Sequence, residues 1–195
     1  MNEDLLPTPP GYRTSAGTAR IAWLAAQLDD QLRRLRRRLD GAGVELLEWQ
    51  PQPGANTIGM LLAHNAITEA YWVHIAEGRV HSIAEADAAV MATLGIGMMD
   101  DGMPIPPDGG HAPGLHGAPL ARYFDLLARA RAATHAALRN WDEPALAGTL
   151  EWEGRMVSRS WIAYHLLEHF AAHAGQILLL ESLRERRLAE GAARA

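Results

Sequence analysis

The run Trp161-Ile-Ala-Tyr-His165-Leu-Leu-Glu-His169-Phe-Ala-Ala-His173-Ala-Gly175-Gln176-Ile177 sets three histidines in one helical register. A helix turns about 100° per residue, so side chains four apart lie roughly 40° apart and about 6 Å along the axis. His169 and His173 can therefore point at one place, with His165 a turn away. Ile162, Leu166, Ala172, Ile177 and Leu180 share that face, which predicts that the imidazoles look inward. Inward polar rings need partners, and converging imidazoles most naturally share a metal ion.

Outward from this run, the helical pattern repeats. Ile21, Leu24, Leu28, Leu32, Leu35 and Leu39 predict a first helix from about Thr18 to Leu39, ended by Gly41 and Gly43. Pro51, Pro53 and Gly54 mark a turn before a second helix, about Thr57 to Glu77, capped by Asn56 or Thr57. Its inward face holds Met60, Leu61, His64, Ile67, Tyr71 and Ile75. A third spans Leu120 to Asn140, with Tyr123, Leu127, Ala130, Thr134, Ala137 and Trp141 on one side. Between these two, Ala84 to Leu94 predicts a short helix, and Gly95 to Pro119 is dense in Gly, Pro, Met and Asp. Such long connections often serve as lids or binding loops. Gly148 to Ser158 reads as a hairpin turning at Glu153-Gly154, and Ser158 or Ser160 caps the last helix, which runs to about Leu188. The expected fold is all-α. It is a four-helix bundle with a long connection between the second and third helices and a short β-hairpin before the fourth. The 195 residues suit a single domain, 1–195.

Hydrophobic residues make up 48% and charged residues 21%, an ordinary globular composition. No apolar run is long enough for a membrane span, and Met1 to Pro7 lacks the basic-then-apolar pattern of a signal peptide. A net charge of −5 argues against nucleic acid, and Arg33, Arg34, Arg36, Arg37 and Arg38 read as a solvated helix face. The absence of cysteine removes disulfides, thiolate metal sites and a thiol nucleophile from the chain itself. The expected compartment is the cytoplasm.

His64 lies on the apolar side of the second helix, in Leu61-Leu62-Ala63-His64-Asn65-Ala66-Ile67. If that helix neighbours the last, His64 completes a three-histidine site with either His165/His169 or His169/His173. Only His169 is common to both choices, and the unused histidine would stand beside the site or the substrate. Three neutral imidazoles leave a position open for water or substrate, the mark of a catalytic site. A di-iron bundle would need Glu-x-x-His pairs, which the second and last helices lack. The expected metal is zinc or nickel, with iron or manganese as alternatives, although ligand type does not decide among them because imidazole suits zinc, nickel, iron and copper alike. His74, His81, His111, His116 and His135 are expected to be exposed, and Met91, Met98, Met99 and Met103 to pack or to form an adaptable apolar mouth. Gly175 is expected to let another helix or a substrate approach closely.

An inward histidine on the second helix, followed by H-x3-H-x3-H running into Gly175-Gln176 on the last, resembles the DinB-like / YfiT metalloenzyme superfamily. The resemblance implies a four-helix bundle holding a divalent metal through one ligand on the second helix and two on the last. By position these are His64, His169 and His173, with His165 matching a histidine often found one turn earlier. The familiar ending H-R-G-Q reads His173-Ala174-Gly175-Gln176 here. The resemblance further implies a homodimer and an S-transferase or isomerase using a low-molecular-weight thiol, with a related hydrolase using the same open site. His165, Tyr71 and Glu168 are then the candidates for proton transfer, Glu168 lying about 100° around the helix from His169. The alternative is a stress-associated protein that captures a metal or small ligand without turnover.

Overall fold

Where the three-and-four spacing is strongest, the chain is helical. The computed structural model describes residues 6–12 and 17–193. Residues 1–5, on which most of the leader reading rests, lie outside them. Helices α1 (Ala19–Arg38), α3 (Ile58–Ala76), α5 (Leu120–Leu138) and α7 (Arg159–Ala192) are the four long elements. Short helices α2 (Val44–Leu47) and α6 (Glu143–Ala147) were not visible in the apolar pattern, since neither is long enough to repeat a face. Helix α4 (Ile83–Leu94) fills the first part of the long connection. No described helix is long and apolar enough to cross a membrane.

The caps explain the boundaries. Thr57 accepts the backbone N–H of Met60 at the start of α3, and Ser158 accepts that of Trp161 at the start of α7. Strands β1 (Thr149–Trp152) and β2 (Arg155–Ser158) pair antiparallel, Trp152 opposite Arg155. Glu153 and Gly154 both take positive φ (50° and 74°), as a tight two-residue hairpin turn requires.

Helix α3 is the central element, packed against α4, α5 and α7. Burial runs almost all round it, from Ile58 and Leu62 to Asn65, Glu69 and Val73, so it has no separate polar face. His64, Thr68, Tyr71, Trp72 and His74 are its half-buried exceptions. Near its start Gly59 lets Tyr123 approach, because a Cβ there would stand 2.5 Å from the phenolic oxygen. One core cluster gathers Leu35, Leu61, Leu94, Tyr123 and Phe170, and a second gathers Ile21, Ile75, Trp141, Trp152 and Ile162. Tyr71 and Met98 touch both.

A polar network ties three helices together. Buried Glu69 on α3 accepts two bonds from Arg131 on α5 (2.7 and 3.1 Å) and one from Thr134 (2.7 Å). Arg131 also reaches Asp29 on α1, whose carboxylate accepts from His135, while His135 Nδ1 accepts from Tyr12. Burial pushes the Asp29 carboxyl up, but the bond to and charge of His135, with Arg131, hold it below the usual range.

Several expectations need correction. His111 and His135 are not exposed: their side chains are 7% and 15% accessible, because Thr57 and Asp29 hold them inward. His74 is half-buried and bonded to Thr93 of α4, whereas His81 and His116 are exposed as expected. Ala172 is exposed, since it lies about 80° around α7 from the line of Ile162 and His173. A Cβ on Gly175 would meet nothing within 4 Å, so no other helix approaches it closely. Of the loop methionines, Met98 and Met103 pack on the core and Met91 and Met99 are exposed.

Candidate metal centre

Helices α3 and α7 run side by side, which brings the second-helix histidine to the histidine run. His64, His169 and His173 each offer a ring nitrogen, and these atoms all lie within 4.8 Å of one another. His165 does not join them. Its ring stacks on Trp161 (4.9 Å, 7°), meets the edge of Trp72 at 5.6 Å, and its Nδ1 lies 3.3 Å from Glu168. Of the two helical pairs, His169/His173 therefore converges with His64, and His165 stands 5.3 Å from His169, ring to ring. Tyr71 lies seven residues beyond His64 on α3, about 10 Å along the axis. Its hydroxyl accepts the Trp152 indole N–H at 2.9 Å.

The ring orientations suit metal binding. His64 Nδ1 faces the Asp101 carboxylate at 2.8 Å, and that carboxylate is 1% accessible. His173 Nδ1 faces the Gln176 side-chain oxygen at 2.9 Å. Both acceptors take the Nδ1 proton, which leaves the Nε2 lone pairs free to bind a cation. His64 Nε2 and His169 Nε2 stand 3.1 Å apart. Two nitrogens each about 2.05 Å from one ion would be about 2.9 Å apart at a right angle and about 3.3 Å at the tetrahedral angle. The observed spacing falls between these.

Electrostatics point the same way. Burial, then the neighbouring His173, His64 and His165, push His169 down to about 3. Burial also lowers His173, with His64 adding to it and Gln176 and Glu168 opposing. His169 is thus neutral at physiological pH, the form that ligates a metal.

Two residues of the centre were not found by sequence reasoning. Asp101 sits in the Gly/Pro-rich connection, where a single aspartate carries no periodicity to mark it. Gln176 follows His173 at i+3, a spacing that does predict contact on a helix. His111 and His116 do not complete the centre and instead lie beside Glu48.

Fold and centre together define a helical bundle with a three-histidine cradle between two of its helices. The chain matches the DinB superfamily model over residues 27–177 and belongs to that superfamily. It is also similar in fold to the conserved protein of locus from Enterococcus faecalis, at a TM-score of 0.60 and 18% identity. That similarity covers 82% of this chain and 94% of the other. No curated protein matches the chain in sequence.

Proposed function

We propose that this protein is a metal-dependent transferase that joins a low-molecular-weight thiol to an electrophilic small molecule. The observation that carries it is the convergence of three imidazoles, two with their Nδ1 protons already engaged, on one point between α3 and α7. We assign zinc or nickel to it, with iron or manganese as alternatives, since imidazole suits several divalent metals alike. A divalent cation held there supplies the positive charge that makes a thiol, or a water in a related hydrolase, acidic near neutral pH. The sulfur comes from the cosubstrate, because the chain has no cysteine. Sulfur attacks the electrophilic carbon, the leaving group departs with its electron pair, and the thiol proton passes to a base or to solvent. In this reading His165 takes that proton on Nε2, supported by its Nδ1 lying toward Glu168, and Tyr71 donates a hydrogen bond from the groove.

Reduced thiols are abundant in the cytoplasm, and that is the compartment we assign. We assign a homodimer as well, through the outer face of α1 and α7, where Trp23, Tyr164, Leu178 and Leu179 are exposed. Sedimentation showing only a monomer at micromolar concentration would remove the dimer.

The function is tested by elemental analysis of protein purified without an affinity tag, followed by assay with cellular thiols and halogenated nitroaromatics. The expected result is about one metal ion per chain and release of halide above background. Full metal content in a His169→Ala variant would overturn the ligand set. Metal-loaded protein that consumes neither thiol nor electrophile would favour the non-catalytic binding protein instead.

A further inference from the structure

One turn along α7 from His165, toward the hairpin, lies a cavity of about 890 Å³, within the size range of small-molecule sites. Its wall is a chain of aromatic rings. Trp152 meets Tyr71 at 5.8 Å, Tyr71 meets Trp72 at 5.2 Å, and Trp72 meets Trp161 at 5.1 Å, each close to edge-on. The chain continues without a break, because Trp161 stacks on His165 and His165 lies against His169. The cavity's lining ends at Trp161, two ring contacts from His169.

Its polar groups are unevenly committed. The Ser158 hydroxyl accepts the Trp161 N–H. The Tyr71 oxygen already accepts from Trp152, and among the described residues its own O–H has no acceptor. Burial, with a contribution from the Glu153 charge, raises Tyr71, so it stays protonated and available as a donor. Arg155, opposite Trp152 in the hairpin, is exposed and makes no ion pair among the described residues. The Tyr71 O–H and the Arg155 guanidinium are thus uncommitted donors along an apolar wall, and the exposed Glu153 carboxylate also lines the cavity.

We propose that this cavity is the substrate-recognition subsite and takes a planar aromatic compound bearing an anionic oxygen group. The ring lies against Trp72 and Trp161, and the acidic group is held by the Tyr71 hydroxyl and the Arg155 guanidinium. Tyr71 stands about 10 Å along α3 from His64, so a fused two-ring body reaches from one end toward the metal centre. What happens to the end beside His165 rests on the transferase reading above, whereas binding in the cavity does not.

The probe is 2-naphthoate, with 2-naphthyltrimethylammonium as the counter-probe of like shape and opposite charge, titrated calorimetrically into the full chain. The expected result is preference for the carboxylate. Trp161→Ala should weaken it about tenfold or more. Arg155→Gln should weaken it about twofold to fivefold, as expected for a rim charge. Arg155 is exposed in the hairpin, so that variant does not threaten the fold. Preference for the cation, or unchanged affinity in both Trp161→Ala and Arg155→Gln, would overturn the proposal. Probe binding without thiol conjugation would support the subsite and overturn only the transferase reading.

Discussion

The Asp101 carboxylate faces Nδ1 of His64 and also accepts the Met103 backbone N–H, so it is fixed on both sides and fixes the ring in turn. Removing it frees His64 to take the other tautomer or to rotate away from His169. Asp101→Ala should lower metal affinity about tenfold to a hundredfold while leaving the helical spectrum intact, as read by competition with a chromophoric chelator. His74 gives a second expectation at this scale. Burial, with Arg79 adding to it and Glu77 opposing, holds its imidazole below the ordinary value, while Thr93 accepts from its Nε2. The unfolded chain takes up a proton near pH 6.5, where the folded chain still resists it. The stability present above that pH is therefore lost as the pH falls below it. Urea midpoints measured from pH 7 to 5 should fall less steeply in His74→Gln than in the unaltered chain.

Among elements, the tie between α3 and α5 is the costly one to break. Arg131→Met leaves Glu69 buried with an uncompensated charge and should destabilise the fold by about 3–5 kcal/mol in urea denaturation. Arg131→Met with Glu69→Leu should recover most of that loss, because the burial of an unpaired charge disappears with it. This network also marks what the sequence could not disclose. Leu24, Leu28 and Leu35 reveal α1 because a helix repeats its face, and the histidine run reveals half of the centre for the same reason. Glu69, Arg131, Asp29 and His135 come from three helices and are paired only by packing, so no local spacing announces them. Asp101 is illegible on the same ground. His111 and His135 read as surface residues because a lone histidine has no pattern, although Thr57 and Asp29 bury them.

At the scale of the whole molecule, the candidate centre joins the central helix to the longest one, so occupancy and stability are linked. A cation that binds only the folded chain should add about 2.7 kcal/mol at a hundred times its dissociation constant. For a chain of this size that corresponds to a rise of roughly 5–10 °C in Tm. Scanning calorimetry with and without a chelator measures it, and an unchanged Tm would show that no ion is held. The same helix packing places the aromatic cavity, the histidines and the apolar face of Leu178 and Leu179 along a single element, α7.

That arrangement has a consequence for how the chain can change in length. Trp161, His165, His169 and His173 hold their mutual positions through helical phase alone, with no loop between them to absorb an error. One residue inserted between Trp161 and His169 would turn Trp161 about 100° away from the ligands. An insertion at the exposed turn Glu153-Gly154 would leave that phase untouched. The hairpin is where this fold can take up extra chain, and the first half of α7 is where it cannot.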